Sequence, residues 1–176
     1  KISIMLEEIK FDYKVTKINI KKDEQFKPEF KKLSPFRKTP VIIDHESKIS
    51  LFESGAILIY LGEKSGKFYQ RDQRTLINQW LMGQMAYVGP MLGQHHQFHH
   101  YNPGKSEFGE KRYFNIAKKI YEELDDRLGQ SKYLAGENYT IADIATFPWI
   151  ARHEWHDIGL KKFKNLNNWY EEISLR

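Results

Sequence analysis

Apolar positions Ile2, Ile4 to Leu6 and Ile9 recur with a helical period, with Glu7 and Glu8 on the other side, so the chain opens inside or at the edge of a helix. Tyr13 to Ile20 alternates and is β-branched, which predicts a strand. Gln25 to Leu33 is polar and short, a loose helix ended by Ser34-Pro35. The apolar runs Val41 to Asp44 and Ile49 to Phe52 are separated only by His45-Glu46-Ser47-Lys48, which predicts a hairpin. An apolar helix, Ser54 to Lys64, then closes at Gly66.

Beyond Asp72 the pattern is helical throughout. Arg71 to His100 is one long stretch, expected to bend at Gly89-Pro90 because proline lacks the N–H donor and crowds the preceding turn. Further helices are expected at Glu107 to Leu128, Thr140 to Ala151 and Phe163 to Ile173, the last with Phe163, Leu166, Trp169, Tyr170 and Ile173 on one face. The polar stretch Gly66 to Arg71 reads as a linker between an α/β module, residues 1–66, and an all-α module, residues 72–176. A right-handed crossover into the strand at Tyr13 requires a strand ahead of Lys1, so the sequence is expected to begin inside its natural domain, without that first strand.

Composition narrows the chemistry. With 40% hydrophobic and 29% charged residues the chain can build a core and is not a disordered segment. No apolar run approaches a membrane span, and Lys1-Ile2-Ser3 leads into a helix pattern rather than a signal peptide, so a cytoplasmic protein with no membrane partner is expected. There is no cysteine, which excludes a disulfide framework, a redox CxxC pair, a protein thiolate nucleophile and a cysteine zinc site. Any thiol chemistry must use a thiol carried in by a ligand. The net charge of +5 lies in the first quarter: residues 1–40 hold 11 Lys/Arg against 6 Asp/Glu, and the remainder is balanced. Those lysines alternate with acids and no recognition motif accompanies them, so they read as a solvated face and no nucleic acid is expected.

Three short constellations carry chemistry. In Lys38-Thr39-Pro40-Val41, proline sits at the entry to a hairpin strand; were its bond cis, the Thr39 N–H and C=O would face outward, free to pair with an extended ligand. In Phe52-Glu53-Ser54-Gly55-Ala56, Ser54 suits an N-cap beside unpaired backbone donors, and Glu53 can meet an ammonium; together they complement the α-amino-acid end of a ligand. A plain serine cap with an exposed glutamate fits the same residues. In Tyr139-Thr140-Ile141-Ala142-Asp143-Ile144, Thr140 and Asp143 form a capping box, with Tyr139 and Ile144 placed as a hydrophobic staple; this is structural.

In this order the three segments resemble the cytosolic glutathione transferase superfamily over essentially the whole chain. Gln25-Phe26-Lys27-Pro28-Glu29-Phe30, Gly89-Pro90-Met91-Leu92-Gly93-Gln94 and Phe147-Pro148-Trp149 resemble its bacterial nu-class branch. The resemblance implies a thioredoxin-like glutathione-binding domain followed by an all-helical domain, with glutathione as co-substrate and no metal. It implies that Glu53 and Ser54 hold the γ-glutamyl end and that Thr39, preceding Pro40, pairs with the cysteinyl unit. Lys38 and Gln25 would lie toward the glycine carboxylate, and Arg112 would border the thiol. Phe98, Met91 and Tyr87 read as contacts of the second substrate, with a core role for each as the equal alternative, and the run His95-His96-Gln97-Phe98-His99-His100 would form the polar wall of that cleft. The thiol-activating residue is expected ahead of Lys1, so no catalytic residue is named.

The activity implied is glutathione-dependent disulfide reduction by a homodimer. A catalytically silent glutathione-binding or regulatory protein, and a transferase acting on carbon electrophiles, are the alternatives.

Overall fold

The computed structural model describes all 176 residues, which gather into two compact units, Lys1–Lys67 and Phe68–Arg176. In the first, helix α1 (Ile2–Ile9) buries Ile2, Met5 and Ile9, and α3 (Ser54–Ser65) buries Ile57, Leu58 and Leu61. These are the faces that the spacing marks as apolar. A short helix, α2 (Pro28–Leu33), starts at a proline, where the missing N–H costs nothing, and buries Phe30. Strands β1 (Val41–Asp44) and β2 (Ile49–Phe52) pair antiparallel, with Val41 opposite Phe52 and Asp44 opposite Ile49.

The hairpin is tied to α3 by charge. Lys64 Nζ lies 2.5 Å from Asp44 Oδ2 and 2.7 Å from Glu46 Oε2, and Tyr60 donates to Asp44 Oδ2 at 2.6 Å. The Lys64 ammonium and the Tyr60 hydroxyl hold the Asp44 carboxyl well below the usual carboxylate range.

The stretch Tyr13 to Ile20 is not a strand. Residues 12–18 make no backbone–backbone hydrogen bond, and Val15 is 74% exposed. A strand exists only through its ladder, and the sheet consists of β1 and β2 alone. From Ile20 two 3-10 turns, Ile20–Lys22 and Glu24–Phe26, lead into α2.

The second unit is helical. After a 3-10 turn at Arg71–Gln73, α4 (Arg74–Gly83) and α5 (Gly89–His95) are joined by a π-helical turn, Gln84–Val88, and a second π-helical turn, His96–Tyr101, follows. At Gly89-Pro90, where a bend is expected, the chain stays helical: Val88 and Gly89 keep helical angles, and the π-helical turn ends there. Pro90 instead falls in the first turn of α5, where a missing donor is tolerated. Helices α6 (Glu107–Leu128), α7 (Ile141–Ile150), α8 (His153–His156) and α9 (Lys164–Ser174) complete the unit. The expected linker is partly structural: Tyr69 is buried, and the Phe68 carbonyl accepts from Ile141 N–H at 3.0 Å. Two aromatic residues in a polar stretch account for that.

The capping box at α7 forms as the sequence predicts. Asp143 is fully buried; its carboxylate accepts from the N–H groups of Leu134 and Thr140, the Thr140 hydroxyl and the Trp169 indole, each at 3.0 Å.

Candidate functional site

The hairpin register assembles the first unit's site. Because Val41 faces Phe52, the residues just outside the ladder, Thr39-Pro40 on one side and Glu53-Ser54 on the other, share one end of the hairpin. The Thr39-Pro40 bond is cis. Thr39 is exposed, and neither its N–H nor its C=O has a hydrogen-bond partner. An edge of this kind pairs with extended backbone.

Glu53, not Ser54, is the N-cap of α3: its carbonyl accepts the first intrahelical bond from Ile57 N–H at 2.9 Å. Serine propensity loses here to geometry, because Glu53 sits at φ 69° and ψ 114°, a conformation that turns the chain out of β2 into the helix. No side chain caps the helix, so the N–H groups of Gly55 and Ala56 lack intrahelical partners and, with the helix dipole, offer donors to an anion. The exposed Glu53 carboxylate stands beside them. The Lys1 ammonium lies within its field; burial lowers the Lys1 pKa to about 8, and Glu53 acts against that fall.

Lys38 directly precedes Thr39, and Gln25 lies in the 3-10 turn Glu24–Phe26. Arg37 lies 5.8 Å over the Phe26 ring, joining the turn that carries Gln25 to the loop that carries Lys38. Gln25 Nε2 reaches the Ile20 carbonyl at 3.5 Å, while its Oε1 is buried with no partner. Ser34, read from the sequence only as a helix end, is 1% exposed. Its hydroxyl donates to the Lys38 carbonyl at 2.9 Å and accepts from the Lys38 N–H at 3.0 Å, fixing the residue before Thr39.

The remaining candidates lie in the helical unit. Arg112 is exposed on α6, 5.9 Å over the Tyr113 ring. Phe98 stacks on Tyr113 with centroids 5.3 Å apart, and a Cβ on Gly109 would come within 2.5 Å of it, so glycine is what lets that ring approach α6. Tyr87 lines an apolar groove of about 370 Å³ with Trp80, Val88, Ile120 and Leu124, whereas Met91 is half-buried outside it. Of the three predicted cleft residues, Tyr87 alone lines this groove.

The histidine run, expected as the polar wall of the cleft, is split between interior and surface. His95 and His96 are 0% and 5% exposed, and only His99 and His100 reach the surface. The rings of His95 and His99 are stacked, 4.9 Å apart and 18° from parallel, and the run is not part of any cluster of three or more His, Cys, Asp or Glu side chains placed to share a metal ion.

The family models "Glutathione S-transferase, N-terminal domain" and "Glutathione S-transferase, C-terminal domain" match residues 1–63 and 90–176. The chain belongs to the glutathione S-transferase family. Its architecture is the family's, a small thioredoxin-like domain followed by a helical one. Among relatives of this transferase, the Escherichia coli disulfide-bond oxidoreductase YfcG is 42% identical over the whole chain and 85% of that protein. The disulfide-bond oxidoreductase YghU, also from Escherichia coli, is 35% identical over the whole chain and 67% of that protein. A glutathione transferase family member from Pseudomonas fluorescens, solved with two glutathiones bound, superposes with a TM-score of 0.92 at 38% identity, covering 99% of this chain and 83% of its own. One from Pseudomonas putida, with one glutathione disulfide bound per subunit, gives 0.92 at 39% identity over 99% and 81%.

Proposed function

We propose that this chain is a glutathione-dependent disulfide reductase. The observation that carries the reading is the shared end of the hairpin, where the unpaired Thr39 backbone and the uncapped start of α3 with Glu53 lie together. Glutathione matches that arrangement group by group. Its γ-glutamyl ammonium meets Glu53, and its α-carboxylate meets Ser54 and the backbone donors at the start of α3. Its cysteinyl amide pairs with Thr39, ahead of Pro40, and its glycine carboxylate lies toward Lys38 and Gln25.

With no cysteine in the chain, the bound glutathione thiolate is the nucleophile. It attacks one sulfur of the substrate disulfide, forming a mixed disulfide and expelling the other sulfur as a thiolate, which takes up a proton. A second glutathione thiolate then attacks the glutathionyl sulfur, giving glutathione disulfide and the second product thiol. Two glutathiones are oxidised and one disulfide is reduced. The names of the oxidoreductase relatives support the reaction class, and neighbours crystallised with two glutathiones or with glutathione disulfide support a site that takes two glutathione units. A reaction that consumes reduced glutathione suits a reducing compartment, so we place the protein in the cytoplasm; no helix is long and apolar enough to cross a membrane.

We further propose a homodimer, supported by the apolar groove around Trp80 and Tyr87, which a second copy would cover. Sedimentation at micromolar concentration tests it: Trp80→Glu should shift a dimer toward monomer.

The decisive assay follows glutathione disulfide formation with a small aliphatic disulfide as oxidant, alongside calorimetry with glutathione disulfide. Turnover together with binding supports a reductase. Binding without turnover selects the silent regulatory reading, and turnover only with a carbon electrophile selects the transferase.

A further inference from the structure

The helical unit buries an imidazole cluster that the proposed chemistry does not use. His95 Nε2 lies 2.8 Å from the His156 carbonyl. A carbonyl only accepts, so Nε2 carries the proton and Nδ1 is left with a lone pair, buried and without a partner. His156 is fully buried; its Nδ1 pairs with the Tyr121 hydroxyl at 2.6 Å, and its Nε2 is buried without a partner. The His96 ring makes no hydrogen bond. It lies 4.7 Å from that of His156, 17° from parallel, and its Nε2 is likewise buried and unpartnered.

We propose that His95, His96 and His156 form an acid-sensitive latch, holding the π-helical turn His96–Tyr101 against α8 only while all three imidazoles are uncharged. Protonating any of them places a cation, and in each case an N–H with no acceptor, inside a site closed by Phe114, Trp149 and Trp155. The stacked pair His96 and His156 cannot both carry charge without repulsion across 4.7 Å.

The surrounding groups do not compensate. From α6 the cluster meets the Tyr121 hydroxyl, whose own pKa is raised by burial. From the helical turns come His99 and His100, and from the ends of α8 come Arg152, His153 and Asp157. Only Asp157 is anionic, and its side chain is 80% exposed.

The directions agree. Burial, followed by the fields of His95, Arg152 and His100, lowers the His96 pKa to about 4. Burial, followed by the neighbouring histidines, lowers that of His156 to about 3, and burial lowers that of His95. Each folded value lies below the ordinary 6.5, so the stabilising contribution is complete above that pH and is lost as the pH falls toward 4 and 3. With three sites filling only in the opened form, the open-to-closed ratio rises by up to about a thousandfold per pH unit in that window.

The test is on the intact protein. Imidazole ring resonances and amide protection, corrected for intrinsic exchange, are followed from pH 8 to pH 3. The expected result is that protection at residues 95–101 and 153–157 is lost together, with an apparent uptake of more than one proton, and that the three rings titrate only with that loss. His96→Phe keeps the stacking and removes one proton site. It should move the midpoint down by about half a unit or more and lower the apparent proton number by about one. His95→Gln, which preserves a donor toward the His156 carbonyl, provides the second variant should His96→Phe not fold. Rings that titrate near 6.5 while protection persists overturn the proposal, as do unchanged midpoints in the folded variants.

Discussion

Ser34 and Lys38 are tied twice: one buried hydroxyl donates to the Lys38 carbonyl at 2.9 Å and accepts from its N–H at 3.0 Å. That pair sets the backbone that enters Thr39-Pro40. Ser34→Ala leaves both Lys38 groups without their partner, at an expected cost of about 1–3 kcal/mol in stability. The same loosening should raise KM for glutathione several-fold while kcat changes less, because Thr39 acts through position rather than chemistry. Thermal unfolding and initial rates check the two effects, and a stability loss at unchanged KM would confine Ser34 to a structural role.

Glu53 presents its carboxylate from a backbone at φ 69°, a conformation that L-residues seldom adopt. Glu53→Gly should therefore raise stability by about 1 kcal/mol, or about 2–4 °C in Tm, while abolishing the ammonium contact. Glu53→Gln keeps the strain and loses the charge; it should weaken glutathione binding about tenfold with little change in Tm. Calorimetry beside thermal unfolding separates the two. Equal Tm values for the two variants would mean that the strain at this position is negligible.

The elements that local pattern dictates were legible in the sequence: the hairpin and the helix Glu107–Leu128 fall where the apolar periods put them. The same holds for the Thr140–Asp143 capping box, whose two residues are three apart. Features that depend on distant partners were not. Tyr13 to Ile20 has strand composition but no ladder to join. Ser54 has the better capping propensity, yet the turn out of β2 makes Glu53 the cap. Adjacent histidines suggest a polar surface, and only the packing of α5 against α6 and α8 shows His95 and His96 to be interior. Nothing in the string indicates that the Ser34 hydroxyl turns back on Lys38.

Gly109 offers a probe of the helical unit. A methyl group there would overlap Phe98 at 2.5 Å, displacing that ring from its stack on Tyr113. Gly109→Ala should cost about 1–3 kcal/mol despite its better helix propensity, since overpacking outweighs the backbone gain. If Phe98 contacts the disulfide substrate, KM for that substrate should rise while glutathione affinity stays constant. A variant as stable as the parent would show that Phe98 moves freely.

Asp143 is the anchor of the helical unit, and its replacement separates stability from binding. Four donors converge on its carboxylate: the N–H groups of Leu134 and Thr140, the Thr140 hydroxyl and the Trp169 indole. Asparagine has nearly the same shape but turns an NH2 toward at least one of them. A buried donor then faces a donor, and the start of α7, the Leu134 loop and α9 each lose a tether. Burial raises the Asp143 pKa, and the four hydrogen bonds act against that rise. Asp143→Asn is expected to lose about 3–5 kcal/mol, near 10 °C in Tm. Glutathione affinity per folded molecule should be retained, because every group assigned to that ligand's amino-acid end lies in the other unit. A calorimetric titration below the lowered Tm measures it. A parallel loss of affinity would mean that the helical unit contributes to the glutathione site through more than its own folding.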